Sequence, residues 1–161
     1  MKRDKQLIGA AGEHLVLSRL LAQGLLASQA PRGARTADIL VNPLDDGKPL
    51  LIQVKTRSGD SSSKKRWAMT SKNEDISASN IFYCFVDLEN KHNPDVYVIP
   101  SKIVAKVVKE GHAKWLKQPG AKGQKHNDSD MRSISNSPRI ETKIAFPGWM
   151  DKYLENWDLI K

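Results

Sequence analysis

From residue 4 to 23, Leu7, Ile8, Ala11, Leu15, Leu20 and Leu21 recur at helical spacing. The pattern predicts an amphipathic helix that stops at Gly24. Gly12 inside it costs stability relative to alanine, which marks a place of close packing. A short loop with Pro31 and Gly33 follows over 29–34. Two apolar runs, one opening Ala37-Asp38-Ile39-Leu40-Val41 and one reading Leu51-Ile52-Gln53-Val54-Lys55, flank the turn Asp45-Asp46-Gly47-Lys48. They predict an antiparallel hairpin over 37–56.

Trp67-Ala68-Met69 predicts a third strand, and 71–79 a short helix with Ser71 as cap and Glu74 three residues on. The continuous apolar run 81–88 predicts a strand buried on both faces. Another strand is expected over 95–99. A helix then runs to 110, with Ser101 as N-cap and Ile103, Val104, Val107 and Val108 toward the core. Residues 117–143 turn polar and predict a long loop with room for a short strand. A last helix is expected over 148–160, with Trp149, Tyr153, Trp157 and Ile160 on its apolar face. That face can pack on the core, on a partner or on a twofold mate. The order predicts one mixed α/β or α+β domain over 1–161, a central sheet covered by helices.

Composition narrows this picture. The chain has 161 residues, 39% hydrophobic and 27% charged, as in a globular protein with one core. No apolar run approaches the roughly 20 residues of a membrane span. The charged N-terminus leads into an amphipathic stretch rather than a signal sequence. Cys84 is the single cysteine, so no internal disulfide can form. A cytoplasmic protein without membrane contact is expected. The net charge of +8 favours a polyanionic partner, nucleic acid above all. A generally basic, solvated surface accounts for the charge equally well until its distribution is considered.

The chemistry concentrates in the hairpin. Asp38 opens its first strand, and Gln53 and Lys55 share one face of the second. A hard divalent cation takes oxygen ligands, commonly one or two carboxylates with water and phosphate oxygen. Asp38 offers a carboxylate, Gln53 an amide oxygen, and Glu13 a second carboxylate from the first helix. Such an ion would polarise a scissile phosphate and acidify a bound water. Lys55 can steer that water or offset charge in the transition state. The alternatives are a strand-edge Asp38, an exposed helical Glu13 and a solvated Lys55 at a strand end. The histidines His112 and His126 with Asp128 show no metal-ligand spacing.

Gly12-Glu13 on a first helix, Asp38-Ile39 on a strand, and Gln53-Val54-Lys55 after a hairpin resemble the PD-(D/E)XK nuclease superfamily. Within it they look most like archaeal Holliday-junction resolvases and Mrr-type restriction enzymes. The resemblance implies a restriction-endonuclease-like core, a Mg²⁺- or Mn²⁺-dependent phosphodiesterase site, and DNA as the usual substrate. It matches Asp38 to the metal-binding aspartate, Gln53 to the (D/E) position, Lys55 to the motif lysine and Glu13 to the helix glutamate. It adds the carbonyl of Val54 as a further metal ligand. Ala37, not proline, precedes Asp38, and Gln53 stands where an acid is commoner, as in Mrr-type members. The amide removes one negative charge from the site. A non-catalytic nucleic-acid-binding module on the same fold is the alternative.

Basic residues flank the motif. Arg32 and Arg35 precede Asp38, and Arg57, Lys64, Lys65 and Arg66 follow Lys55. Lys122 and Lys125 lie in the long polar loop, with Lys114, Lys117 and Trp115 before them. Such residues would supply salt-dependent phosphate contacts. The expected partner is DNA, branched or structured forms included, and a homodimer is compatible with the aromatic C-terminus.

Overall fold

A computed structural model describes residues 4–34, 36–42, 47–58 and 65–161. Helix α1 spans Lys5–Ala22, capped by the Asp4 side chain on the backbone N–H of Gln6 at 2.8 Å. Strands β1 (Leu26–Gln29), β2 (Ile39–Asn42), β3 (Leu50–Arg57) and β4 (Arg66–Thr70) follow. Then come β5 (Ile81–Asp87), β6 (Asp95–Pro100), helix α2 (Ser101–Lys117) and β7 (Met131–Ser135). Five strands form one sheet in the order β1-β2-β3-β5-β6, while β4 and β7 pair as a separate two-stranded ribbon. The β3–β5 pair is parallel and the others in the sheet are antiparallel, so the sheet is mixed.

The sheet divides two apolar cores. On one face α1 lays Val16 and Leu20 against Ile39, Val41, Ile52, Val54, Cys84 and Val86. On the other, Trp67, Met69 and Ile134 of the ribbon and Val104, Val107 and Val108 of α2 cover Tyr83, Phe85, Tyr97 and Ile99. Side chains alternate along a strand. Since Ile52 and Val54 face α1, Gln53 and Lys55 project from the opposite face, beside the ribbon.

Gly12 is the point of closest approach between α1 and β3. A Cβ built there would lie 1.9 Å from Thr56 Oγ1 and 2.9 Å from Thr56 Cβ. Gly12→Ala is therefore expected to destabilise the protein by about 1–3 kcal/mol, despite alanine's better helix propensity. Urea unfolding checks this, and a neutral or stabilising effect would refute the contact.

The predicted hairpin forms, with Ile39 opposite Ile52, though its Asp45-Asp46 turn lies outside the described residues. The short β1 was not anticipated. Its Leu-Ala-Ser-Gln sequence buries only Ala27 and carries no alternating pattern. The helix expected over 71–79 is only a 3₁₀ turn, Ser71–Glu74. Its expected capping partners are diverted: Ser71 bonds Asp130 and Glu74 pairs with Arg132. Thr70 N–H instead donates to Asn73 Oδ1 at 2.8 Å. Helix α2 continues past 110 to Lys117, because Gly111 weakens a helix without ending it. Ser101 lies inside α2 rather than capping it, and its hydroxyl donates to the Ala78 carbonyl at 2.9 Å.

The helix expected over 148–160 is absent. Two 3₁₀ turns, Asp151–Tyr153 and Trp157–Leu159, stand there instead. Between them Leu154 bridges Tyr97, and Glu155 N–H donates to the Val96 carbonyl at 2.8 Å. Glu155 adopts φ 50°, outside any right-handed helix. Its carboxylate takes bonds from Arg19, from Val96 N–H and from Trp157 Nε1. Pairing with the open edge of β6 has outcompeted helix formation. Trp149 and Trp157 are buried in this chain's own cores rather than offered to a mate. Among the described residues, no helix is long and apolar enough to cross a membrane.

Candidate functional site

Asp38 lies immediately before β2, at the end of its pairing with β3. Its own N–H donates to the Ile52 carbonyl at 2.9 Å. Its carboxylate Oδ2 accepts the N–H of Val54 at 2.7 Å. The side chain thus replaces a ladder acceptor where β2 begins, which fixes the carboxylate in the strand gap beside Gln53. No other hydrogen bond to this carboxylate occurs among the described residues.

Glu13 comes to the same place from α1. Its carboxyl is held above the ordinary value of 4.5, first by burial and then by the negative charge of Asp38, with His14 acting in the opposite sense. Glu13 and Asp38 therefore repel one another across a partly desolvated gap. Two adjoining carboxylates of this kind lower their energy by sharing a proton or a cation.

Gln53 adds the most telling atom. Its Oε1 is buried and accepts no hydrogen bond among the described residues. A buried amide oxygen without a partner costs on the order of 1–3 kcal/mol. Tyr83 is its register neighbour on β5, but the Tyr83 hydroxyl takes its hydrogen bond from Asn73 Nδ2 at 2.9 Å. The unpartnered amide oxygen and the two carboxylates are oxygen donors of the kind a hard divalent cation takes. Among the described residues no three His, Cys, Asp or Glu side chains converge on one point. Lys55 follows two residues after Gln53 on the same face, and makes no ion pair among the described residues.

The basic residues flanking the motif separate into groups. Arg32, Arg66, Lys122 and Lys125 are exposed. Arg57 is buried, its guanidinium 2.8 Å from Asp87 and 3.5 Å from Glu89. Lys65 is 2.7 Å from Asp95 and 3.5 Å from Asp87, and bonds the Tyr97 hydroxyl at 3.2 Å. Much of the charge of Arg57 and Lys65 is thus neutralised inside the fold. Arg35 and Lys64 lie outside the described residues. Trp67 is buried, with Nε1 donating to the Val86 carbonyl at 2.9 Å, so it is no platform for a base.

Sequence reading passed over Lys102, Lys106 and Lys109. They are exposed on successive turns of α2, opposite its apolar stripe. Their spacing of four and three was the available signal. His112 does meet Asp128 at 2.7 Å, and Trp115 stacks on both His112 and His126. That contact holds Asp128 below the ordinary carboxylate value, chiefly through the His112 hydrogen bond.

No protein-family model matches the chain, and no curated protein matches it. Among solved structures it is similar to a bacterial homing endonuclease, I-Ssp6803I, with a TM-score of 0.57 at 18% identity. The likeness covers 99% of this chain and 92% of the other. At that identity it establishes the fold: a central mixed sheet flanked by helices, of the restriction-endonuclease-like kind expected from the motif.

Proposed function

We propose that the protein is a divalent-metal-dependent DNA endonuclease that hydrolyses phosphodiester bonds at Glu13, Asp38, Gln53 and Lys55. The buried Gln53 Oε1, unpartnered among the described residues, beside a repelling carboxylate pair carries the reading, because a hard divalent cation takes oxygen donors of both kinds. The nuclease-like fold and the net charge of +8 support it. Glu13, Asp38, Gln53 and the Val54 carbonyl would hold Mg²⁺ or Mn²⁺. When bound, the ion supplies Lewis-acid polarisation of a phosphate and a more acidic water. Asp38 is held for that role by Val54 N–H, which prevents its rotation away from the strand gap. Lys55 presents its ammonium on the Gln53 face, where it offsets the charge that develops on a scissile phosphate. Exposed Arg32, Lys122 and Lys125 would add phosphate contacts that weaken with salt. Purified protein should cut DNA with Mg²⁺ or Mn²⁺ and stop when the metal is chelated. Absence of metal-dependent cleavage overturns the catalytic reading.

The neutral Gln53 favours a second reading, a DNA-binding module that no longer cleaves. Gln53→Glu separates the two, because it restores a charge at an atom already aimed into the site. Metal affinity is expected to rise by about tenfold or more, since charge-assisted contacts roughly double a neutral one. Titration calorimetry with Mn²⁺ reads this directly, and unchanged affinity would show that Gln53 does not face the ion.

Glu13 predicts a pH dependence. A carboxyl raised in the folded state binds its proton more tightly there than in the unfolded chain. Its contribution to stability is full below the ordinary value and is lost as pH rises through the raised one. A cation at Glu13 and Asp38 counters that loss. Mn²⁺ should therefore raise the melting temperature more at about pH 7 than at about pH 4. Equal shifts at both would place the ion elsewhere.

A further inference from the structure

The β4–β7 ribbon stands beside the candidate site. Its buried face, Trp67, Met69 and Ile134, rests on Tyr83 and Phe85, which are the register neighbours of Gln53 and Lys55 on β5. Its other face is open to solvent and presents Arg66, Ala68 and Thr70 from β4 with Met131 and Ser133 from β7. No carboxylate belongs to that face. Met131 is 79% exposed at one end of it, an apolar side chain held in water on a paired strand. Thr70 lies directly opposite Met131 and Ala68 opposite Ser133.

The ribbon is also held rigidly. At one end Ser71 bonds Asp130 through both its N–H and its hydroxyl. At the other the Ser135 hydroxyl donates to the Lys65 carbonyl at 2.6 Å. Beneath it Arg132 pairs with Glu74. A face so clamped needs little ordering when it binds. Helix α2 packs against β7 and turns the exposed Lys102, Lys106 and Lys109 outward.

We infer that the open face of the β4–β7 ribbon enters the major groove of duplex DNA and reads base edges next to the cleavage site. The inference rests on the nuclease reading and adds its substrate class, a sequence-selected duplex. The major groove admits a two-stranded β-ribbon, and its donors, acceptors and methyl groups distinguish all four base pairs. Arg66 suits the O6 and N7 acceptors of guanine, Ser133 supplies an adaptable hydroxyl, and Met131 suits a thymine methyl. Small Ala68 lets the strand approach. The α2 lysines supply charge complementary to the flanking phosphates without reading sequence.

The test is selection of bound sequences from a random duplex pool, using the full chain in chelator so that nothing is cut. Wild type should enrich a defined motif. Arg66→Ala should erase the preference at one position and lower affinity for the selected site about tenfold. Its affinity for random duplex should change far less, because the lost contact reads a base. Ser133→Ala and Met131→Ala should relax other positions. All three side chains are exposed, and unchanged melting temperatures confirm intact folds. No enriched motif, an identical motif in all three variants, or tighter binding of single strands overturns the ribbon reading. Metal-dependent cleavage is scored separately: cleavage without selectivity overturns only the ribbon, and selectivity without cleavage overturns only the catalytic reading.

Discussion

Asp38→Ala is expected to lower metal-dependent DNA cleavage by at least about a hundredfold, the scale of removing a preorganised electrostatic group. The substitution removes a charge that faces Glu13 and the acceptor of the Val54 N–H bond. The second loss is structural and costs on the order of 1–3 kcal/mol, so alanine alone does not isolate the first. Asp38→Asn does. Its amide oxygen still accepts from Val54 N–H, yet it carries no charge. Activity should fall nearly as far as in the alanine variant while the melting temperature stays closer to wild type. Single-turnover cleavage with Mg²⁺ and with Mn²⁺ measures the first quantity and calorimetry the second. Wild-type cleavage by the asparagine variant would remove Asp38 from the proposed site.

The largest effect on stability is expected at Asp87, which takes no part in the proposed chemistry. Its side chain is 1% exposed and that of Arg57 8%, with the two charges 2.8 Å apart. Lys65 approaches the same carboxylate at 3.5 Å. Asp87→Ala removes a counter-charge 2.8 Å from a buried guanidinium. Breaking a buried pair on one side costs about 3–5 kcal/mol. For a domain of this size that lowers the melting temperature by about 10 °C. Arg57→Met with Asp87→Leu replaces both charges by apolar groups and should recover much of the loss. If Asp87→Ala melts as wild type, the pair is not buried as described. Since Arg57 lies two residues from Lys55 on β3, the single variant also tests how far the site depends on a correctly seated strand.

The second strand of the hairpin was legible because alternation is a local property. Gln53 and Lys55 interrupt an apolar run at a spacing of two, and any strand puts such residues on one face. Gly12 was legible as a close contact because a helix interior penalises glycine, and Thr56 is the neighbour that explains it. Arg57 and Lys65 read as available cations, since nothing near them in sequence announces Asp87 or Asp95. The C-terminal aromatics carried a helical spacing, but the open edge of β6 offered the backbone of Glu155 a better partner. The ribbon was partly visible: β4 was expected and a short strand was allowed for in the polar stretch where β7 lies, but nothing local announced that the two would pair.

By itself, then, the sequence determined a mixed α/β chain of high positive charge, with an aspartate, a glutamine and a lysine on one hairpin. Periodicity and composition carry that much, because they depend only on neighbours along the chain. The folded chain adds that the negative charge of Asp38 acts on Glu13, and that Gln53 Oε1 is buried without a partner among the described residues. It also decided which cations are neutralised inside the fold and which remain exposed. Those properties are desolvation and long-range pairing. They arise when segments far apart in sequence exclude water from one another, and no local pattern encodes them.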